Sequence, residues 1–376
     1  MILSEDQSRA QRAILDSITG GQPVSLLVGP AGSGKTTLMR SIITELRARG
    51  LGVVLMCPTG KAAAVLASKT GEATTTIHKA LYRRVTEDGE DLVFDEPQQP
   101  CGPREVVVCD EASMVGEALH AELLAQVRRA PGARLLYVGD REQLPPVNER
   151  WGPDFGNPTA ALDTVHRQAE KSPILALATA IRTHGRFDGW VDGECDRSDC
   201  DPVQWMAERA DKDATLLCYT NKTRRALNHG IRGALGYSHQ VVVGDRLVCL
   251  LNHHESGVMN GEVLTVEGLK RSTCDLVLVT LSNGQSRIVN TSLIGASVAD
   301  FKAYVETYEE RKRAMFLHVD YGFALTVHKA QGSQWGAVGF VADGGYGWLK
   351  RHKPDEARRL AYTAVTRASR ALRIFQ

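Results

Sequence analysis

The segment GPAGSGKT, residues 29–36, follows the apolar run VSLLV and precedes an amphipathic stretch. It matches G-x-x-x-x-G-K-[ST] in the strand–loop–helix context that this pattern requires. Glycines let backbone N–H groups wrap around phosphate at a helix N-terminus, and the lysine reaches the β and γ oxygens. We therefore expect Lys35 to bind the nucleotide and Thr36 to ligate magnesium. The other loop residues expected to contact the nucleotide are Gly29, Pro30, Ala31, Gly32, Ser33, Gly34 and Thr37.

Strand-like runs alternate with helix-like stretches along the chain. The first set comprises VSLLVG, GVVLMCP, EVVVCD and ARLLYVGD, and the second comprises ATLLCYT, YGFALTV, GAVGFVAD and ALRIF. Amphipathic segments such as TTLMRSIITELRARG and PDEARRLAYTAVTRA lie between them. The alternation predicts an α/β fold with parallel sheets that helices cover on both faces. Two α/β units are the simplest count.

Two insertions interrupt this alternation. The segment YRRVTEDGEDLVFDEPQQPCG has short alternating runs around an Asp-Gly pair and predicts a β-hairpin. Residues 241–295 hold several β-type runs separated by Gly and Asn, which indicates a small β-barrel.

Charge and hydropathy exclude some classes of protein. Lys and Arg number 45 against 44 Asp and Glu, so a polyanion would have to bind in a local groove. We find no apolar run long enough to cross a bilayer and no signal-peptide pattern at the N-terminus, so we expect a cytoplasmic protein without a membrane partner. The eight cysteines have no paired framework. A zinc site built from His184, Cys195 and Cys200 is less favoured than loop cysteines.

Acidic and amide side chains follow two further core strands. VVVCDEAS supplies Asp110, which we expect to bind the metal, and Glu111, which would orient or deprotonate an attacking water. This pair predicts hydrolysis, although a capping pair is the common alternative. In YVGDREQLPPV, Gln143 is placed to reach the γ-phosphate, unless the segment is only a turn.

The order of these motifs resembles that of the superfamily 1B DNA helicases of the RecD and phage Dda type, over nearly the whole chain. The matching segments are LSEDQ, GPAGSGKTT, PTGKAAAVL, TTTIHKAL, CDEASM, VGDREQLPPV, VHRQ, TNKTRRALN, GVMNGEVLTV, LTVHKAQGSQW and YTAVTRASR. The resemblance implies two RecA-like motor domains that bind ATP between them and single-stranded nucleic acid across their top. It also implies movement from 5′ to 3′.

The resemblance implies a domain organisation as well. Residues 1–81 and 105–165 would form the first motor domain, with residues 82–104 as a hairpin, or pin, inserted in it. Residues 166–240 and 319–376 would form the second motor domain, with residues 241–318 as an inserted SH3-like barrel.

Further nucleotide contacts are implied by the same resemblance. Gln7 would read the adenine, and Arg167 and Arg367 would reach the γ-phosphate from the second motor domain. Arg367 would share a helix face with Thr363, four residues earlier. Gln331 and Gly332 would lie toward the nucleotide. Taken without the resemblance, either arginine is more simply a surface ion pair.

Contacts to the nucleic acid are expected at strand ends and at the two insertions. The implied residues are Pro58, Thr59, Lys61, Thr75, His78, Phe94, Asn221 with Lys222, Asn260, Thr326 and His328. Phe94, on the hairpin, would stack on the last base pair of the duplex, although it could equally fold onto its own hairpin. A hydrogen-bonded core histidine is the alternative for His328.

The expected activity is an ATP-dependent 5′–3′ DNA helicase that uses Mg-ATP. Its partners would be single-stranded and forked or 5′-tailed duplex DNA, with replication or recombination proteins, in a bacterial or phage-infected cell. The short chain favours a stand-alone, monomeric motor. One alternative is a strand translocase or ATPase that does not unwind duplexes, and another is a non-motor P-loop protein. Sequence physics does not decide between DNA and RNA.

Overall fold

The computed structural model describes residues 3–87, 90–146, 149–163, 172–185, 195–197, 200–238, 240–253, 258–271, 273 and 275–376. For residues 83–87, 90–97, 195–197, 271 and 310 it describes the backbone only. The chain forms two compact units, Met1–His184 and Gly185–Gln376.

The first unit contains eight strands and six helices within its described part. The strands are β1 Val24–Val28, β2 Gly52–Cys57, β3 Thr74–Thr76, β4 Tyr82–Glu87, β5 Glu90–Pro97, β6 Glu105–Cys109, β7 Arg134–Gly139 and β8 Ala160–Ala161. The helices are α1 Glu5–Thr19, α2 Lys35–Ala48, α3 Gly60–Thr70, α4 Ile77–Leu81, α5 Glu117–Arg129 and α6 Pro173–His184.

Six of these strands form one sheet in the order β3-β2-β6-β7-β1-β8, and every pairing in it is parallel. Side chains of β1 alternate between its two faces. Leu27 packs with Leu38 and Ile42 of α2, whereas Leu26 and Val28 belong to a second cluster on the opposite face. Both faces of the sheet are therefore buried, which explains the continuous apolar runs in its strands. The predicted α/β fold with a parallel sheet is confirmed.

The second unit contains ten strands and six helices within its described part. The strands are β9 Cys195–Arg197, β10 Ala214–Cys218, β11 Arg246–Cys249, β12 Val263–Arg271, β13 Leu276–Leu281, β14 Ser286–Asn290, β15 Val319–Tyr321, β16 Ala324–Thr326, β17 Trp335–Val341 and β18 Ala368–Phe375. The helices are α7 Pro202–Ala207, α8 Asn221–Ala234, α9 Val298–Val305, α10 Glu310–Arg313, α11 Gly344–His352 and α12 Pro354–Val365.

A parallel sheet with the order β16-β10-β17-β18-β9 forms the centre of this unit. One prediction about its last helix is wrong. Helix α12 ends at Val365, so Arg367 does not share a helix face with Thr363 but lies in the turn before β18. The turn is stabilised by the Thr366 hydroxyl, which donates to the Thr363 carbonyl at 3.0 Å.

The two insertions contain antiparallel strands. Strands β4 and β5 pair antiparallel, with Tyr82 opposite Pro97. Strands β14-β13-β12-β11 lie within residues 241–318, and together with β15, which begins at Val319, they form a five-stranded antiparallel sheet. This sheet has its own core, which includes Leu247, Val279 and Val319. None of the helices in the described part of the chain is both long and apolar enough to span a membrane.

Candidate functional site

The predicted phosphate-binding loop, residues 29–34, joins β1 to α2. Gly32 and Gly34 both have φ of +80°, a left-handed conformation that glycine adopts without steric cost. A Cβ on Gly29 would lie 2.6 Å from the Oγ of Ser33. Ser33 is buried, and its Oγ donates to the Pro30 carbonyl at 2.8 Å. The loop is therefore held in a defined curve at the N-terminus of α2, where anions bind.

Lys35 is the first residue of α2, and its ammonium group lies within the loop. Nζ donates to the carbonyl oxygens of Gly29 at 2.7 Å and Pro30 at 3.0 Å. Thr36 and Thr37 follow in the first turn and are half-buried. The Lys35 ammonium group could therefore donate to phosphate oxygens in place of these carbonyls while it stays within the loop.

Gln7 connects the first helix to this loop. Its Oε1 accepts from the backbone N of Ser4 at 3.1 Å, which completes a capping box at the start of α1. Its Nε2 donates to the carbonyl of Ser33 at 3.4 Å. The structure therefore places Gln7 against the phosphate-binding loop. The implied contact with adenine stays a prediction.

The acidic pair lies at the end of β6. Oδ1 of Asp110 accepts from the backbone N of Glu111 at 2.9 Å. Burial, together with the charge of Glu111, raises the pKa of Asp110 to about 6, while the Glu111 N–H, Lys35 and Lys69 act in the opposite direction. Lys35 and Asp110 are therefore close enough to interact electrostatically, as a shared magnesium and phosphate site requires.

Glu111 has an unusual backbone. Its φ is +55°, in the left-handed region, just before the 3-10 helix Ala112–Met114. Such a conformation costs a non-glycine residue on the order of 1–3 kcal/mol and is concentrated at functional sites. The left-handed residue changes the direction of the chain directly after Asp110, the candidate metal ligand. No sequence pattern indicated this backbone conformation.

The segment after β7 begins with Asp140, whose carboxylate hydrogen-bonds to the backbone of the same segment. Asp140 and Gln143 are both buried, and Asp140 Oδ1 accepts from the backbone N of Glu142 at 3.0 Å. A small pocket is lined by Asp140, Glu142 and Arg182 together with Gly29 of the phosphate-binding loop. No sequence motif associates Arg182 with this pocket, because the residue lies on α6, far away in the chain.

The strand order brings these groups to one edge of the first sheet. Strands β6, β7 and β1 are neighbours and parallel, so their C-terminal ends lie side by side. The backbone N of Gly29 donates to the carbonyl of Gly139 at 3.1 Å. The phosphate-binding loop, the acidic pair and Gln143 therefore meet where open parallel sheets bind ligands.

The expected nucleic-acid contacts of this unit lie at the next strand ends. They are Pro58, Thr59 and Lys61 after β2, Thr75 in β3 and His78 in α4. The hydroxyl of Thr59 accepts from the backbone N of Ala62 at 3.2 Å and so begins α3. The backbone N of Asp110 donates to the carbonyl of Met56 at 3.0 Å, which joins this region to the acidic pair.

In the second unit, too, the residues predicted to contact nucleic acid lie at or near the ends of strands. Strand β16 pairs with β10 at the edge of the sheet, with Thr326 opposite Cys218. Asn221 begins α8 shortly after β10 and is exposed. His328 is half-buried, and its ring lies 6.2 Å from that of Tyr219. Burial lowers the pKa of His328, against the opposing charge of Glu356, so the ring is neutral at pH 7.

Asp343, which was not among the predicted site residues, fixes the start of α8. Its Oδ2 accepts from the backbone N of Thr220 at 2.9 Å and from the Thr220 hydroxyl at 2.8 Å. Burial would raise the pKa of Asp343, but hydrogen bonds from Thr220, Tyr346 and Thr223 hold it below its ordinary value. A carboxylate directly after a buried strand, in VADGG, was the signal that could have identified it.

Arg367 contacts the loop that precedes β17. The residue is buried, and its Nη1 donates to the carbonyl of Ser333 at 3.1 Å. Gln331 is buried and Gly332 has φ of +70° in the same loop. Because β16, β17 and β18 are parallel, the loop runs from the C-terminal end of β16 to the N-terminal end of β17. The backbone N of Gln331 donates to the carbonyl of His328 at 3.3 Å, so Gln331 lies one turn after His328 in this loop.

Three more expected residues have different outcomes. Asn260 is exposed at a turn in the antiparallel sheet, where its backbone N donates to Asn252 Oδ1 at 2.9 Å. The next residue, Gly261, lies beside the carbonyl of Lys329, so this turn adjoins the loop after Thr326. Arg167 lies outside the described residues. Phe94 lies in β5, where the structure does not describe the side chains.

Comparison with known proteins identifies the family. The model of a family described as an AAA domain matches residues 2–190, half of the chain, and that of the UvrD-like helicase C-terminal domain matches residues 321–375. The ATP-dependent RecD2 DNA helicase of Deinococcus radiodurans is 32% identical over 383 residues, covering 96% of this chain and 48% of the relative. The chain belongs to the RecD/Dda-like helicases of superfamily 1B.

Other relatives of this helicase family agree with the assignment. The ATP-dependent DNA helicase dda of Enterobacteria phage T4 is 30% identical over 202 residues, covering 51% of this chain and 45% of the relative. The chain spans less than half the length of these two relatives. A solved structure of Pif1 helicases at forked double-stranded DNA shares the fold, with a TM-score of 0.58, 18% identity, and coverage of 100% of this chain and 92% of the other.

Proposed function

We propose that this chain is an ATP-dependent DNA helicase that moves 5′ to 3′ on single-stranded DNA and unwinds duplexes. The observation that supports it is the order of strands in the first sheet. The residues predicted to bind the nucleotide follow strands β6, β7 and β1. The residues predicted to contact the nucleic acid lie at the ends of the adjacent strands β2 and β3. The hydrogen bond from Asp110 N to the Met56 carbonyl holds the two groups at adjacent strand ends.

The nucleotide chemistry would be carried by the first unit. Lys35 would bind the β and γ oxygens, and Gln143 would register the γ-phosphate. The Thr36 hydroxyl and the Asp110 carboxylate would hold magnesium, whose charge, when bound, neutralises phosphate oxygens. Glu111 would accept the proton of the attacking water. The backbone of Gly29 to Gly34 would bind the remaining phosphate oxygens, and Gln7 would contact the adenine.

Residues of the second motor domain would complete the reaction. Arg367 and Arg167 would counter the charge on the transferred phosphoryl group. An arginine finger typically raises the rate of hydrolysis by roughly 10³- to 10⁵-fold. Gln331 and Gly332 would contact the nucleotide from the loop that Arg367 holds. Hydrolysis would then depend on closure of the two domains, which makes stepping possible.

The proposed motor domains are residues 1–81 with 105–165 and residues 166–240 with 319–376. The hairpin in residues 82–104 would act as a pin, with Phe94 at the fork, and residues 241–318 would form an SH3-like domain that contributes Asn260. Pro58, Thr59, Lys61, Thr75 and His78 would contact the strand from one motor domain, and Asn221, Thr326 and His328 from the other.

The first test separates nucleotide chemistry from folding. Lys35→Ala should abolish ATP hydrolysis and unwinding together while the protein still folds, because the bonds that the side chain makes among the described residues stay within its own loop. Arg40→Ala, an exposed cation on the same helix, is the matched control and should retain both activities. A Lys35→Ala protein with full strand-dependent ATPase would refute the site.

The second test decides between the helicase and its rivals. Matched DNA and RNA duplexes with a 5′ or a 3′ tail are incubated with ATP, and strand separation is measured. Unwinding of the 5′-tailed DNA alone supports the proposal. DNA-stimulated ATPase without unwinding indicates a translocase, and ATPase that ignores single-stranded DNA indicates a non-motor P-loop protein.

A further inference from the structure

A cavity of about 310 Å³ opens in the first unit and takes no part in the site described above. Three arginines line it, Arg49, Arg104 and Arg134, and its apolar walls include Ile18 and Leu51. This volume is at the lower end of the range of ligand-binding pockets in proteins.

The cavity lies at the opposite edge of the sheet from the phosphate-binding loop. Arg134 is the first residue of β7, and Arg104 directly precedes β6. The phosphate-binding loop follows the last residue of β1, which runs parallel to β7. Because these strands are parallel, the arginines lie at their N-terminal ends and the loop lies at their C-terminal ends.

The positive charge in the cavity is poorly compensated. No Asp or Glu is among the residues that line it. Arg49 pairs with Glu45 outside the lining, at 2.9 Å. Glu105 follows Arg104 in the chain, but its carboxylate accepts from the backbone N of Gly102 at 2.6 Å. In the part of the chain that the structure describes, neither Arg104 nor Arg134 forms an ion pair.

Arg134 retains unused hydrogen-bonding capacity. Its Nη1 donates to the carbonyl of Ala133 at 2.8 Å. Its Nε is buried and has no hydrogen-bond partner among the described residues. A buried donor without a partner is costly, and native proteins contain few of them. A ligand that accepts from the guanidinium edge would remove this cost.

Arg104 is held in a strained backbone conformation. Its φ is +57°, and its backbone N donates to the carbonyl of Pro131 at 2.9 Å. The chain packs closely here, since a Cβ on Gly132 would lie 3.3 Å from the Cγ of Arg104. An arginine in the left-handed region, where glycine would be unstrained, is a feature that functional sites tend to retain.

We propose that this arginine-lined cavity binds a small anion through its phosphate group. Planar guanidinium forks match phosphate oxygens and form charge-assisted, often bidentate hydrogen bonds. The cavity volume accommodates pyrophosphate or a mononucleotide, and the apolar walls leave the arginines as the main polar contacts. Inorganic phosphates and nucleotides share this chemistry, so the experiment distinguishes between them.

The rival explanation is structural. Arg49 directly follows α2, and Ile18 and Thr19 of the lining end α1, so the arginines are near helix C-termini, where cations are favourable. Under this explanation, substitution of an arginine would change thermal stability alone. It would not change the binding of any anion.

Calorimetric titration with pyrophosphate, and separately with AMP, tests the proposal on the full wild-type chain and on Lys35→Ala, in which the phosphate-binding loop lacks its lysine. We expect one binding site that both proteins retain, because Lys35 is not among the residues that line the cavity. Arg104→Gly, which suits φ of +57° and should fold, is expected to weaken binding about tenfold or more. Arg134→Lys keeps the charge but loses the fork and should also weaken binding. Arg128→Gln, an exposed cation on α5, is the matched control and should bind within about twofold of the wild type.

Each outcome decides the question. Binding of pyrophosphate that AMP does not share identifies an inorganic ligand, and AMP binding of equal or greater strength identifies a nucleotide, both in support. A wild type that takes up neither probe overturns the proposal, and so does binding that Lys35→Ala abolishes. So do Arg104→Gly and Arg134→Lys proteins that bind as the wild type does, whatever their melting temperatures.

Discussion

The guanidinium of Arg367 donates from Nη1 to the backbone carbonyl of Ser333 at 3.1 Å. Its Nε donates to the carbonyl of Thr363 at 3.1 Å, at the end of α12. One buried side chain therefore fixes the loop before β17 to the helix before β18. An arginine held in this way can transmit a change at its own position to the loop that contains Gln331.

Replacement of Arg367 should lower the ATPase rate strongly while lowering the free energy of unfolding only modestly. Arg367→Ala loses two bonds to carbonyls, which should cost about 1.5–3 kcal/mol of unfolding free energy. If the residue also acts as an arginine finger, the ATPase rate of the folded protein should fall by about 10³ or more. ATPase per folded molecule, measured well below the melting temperature, separates the two effects.

Two variants make the Arg367 result interpretable. Arg367→Lys keeps the charge and should regain part of the stability but little of the rate, because a lysine lacks the planar fork. Arg351→Ala removes an exposed cation on α11 and should resemble the wild type. If the ATPase rate falls only in proportion to the fraction of folded protein, Arg367 has a structural role and not a catalytic one.

Glu111 should show opposite effects on activity and stability. Glu111→Gln keeps the size and the strained backbone, so ATP should still bind while hydrolysis falls by about 10² or more. Glu111→Gly should lose hydrolysis equally but gain about 0.5–1 kcal/mol of stability, because φ of +55° suits glycine. Single-turnover hydrolysis and chemical denaturation measure both. Normal turnover of Glu111→Gln would remove this residue from water activation.

The sequence predicted the parallel sheets and the loop at Gly29 because both depend on local patterns. Apolar runs bounded by turns indicate buried strands, and a glycine-rich loop before a helix is a contiguous signal. The end of α12 was predicted wrongly, because a Thr hydroxyl bond and the start of β18 stop the helix before Arg367. Asp343 and Arg182 were missed because their partners are distant in the chain.

His328 should couple DNA binding to hydrolysis without contributing charge. Its pKa is lowered by burial, so the ring is neutral at pH 7 and would contact a strand by stacking or a neutral hydrogen bond. His328→Ala should abolish most DNA stimulation of the ATPase, and the salt dependence of DNA binding should keep its slope. His352→Ala, an exposed histidine on α11, is the control. Unchanged stimulation in His328→Ala would remove the residue from this role.

His318 should make the second unit sensitive to acid. Its ring stacks on Phe301 at 4.5 Å, and its Nε2 lies 3.1 Å from the carbonyl of Ala296, so Nε2 carries the proton of the neutral ring. Nδ1 is buried and has no hydrogen-bond partner among the described residues. Burial lowers the pKa of His318, with a further contribution from Lys329 and opposing ones from the Ala296 carbonyl and Asp320.

The sign of this effect follows from linkage. The unfolded chain takes up a proton near pH 6.5, whereas the folded protein resists it, so the unfolded state binds more protons as the pH falls below that value. The contribution of His318 to stability is therefore complete above about pH 6.5 and declines below it, by at most about 1.4 kcal/mol per pH unit. Denaturation by urea at pH 7.5 and pH 5.5 should show a smaller difference for His318→Gln than for the wild type. His229→Gln, at an exposed position of α8 in the same unit, should show the wild-type difference. An equal pH dependence in all three proteins would exclude His318 as the source.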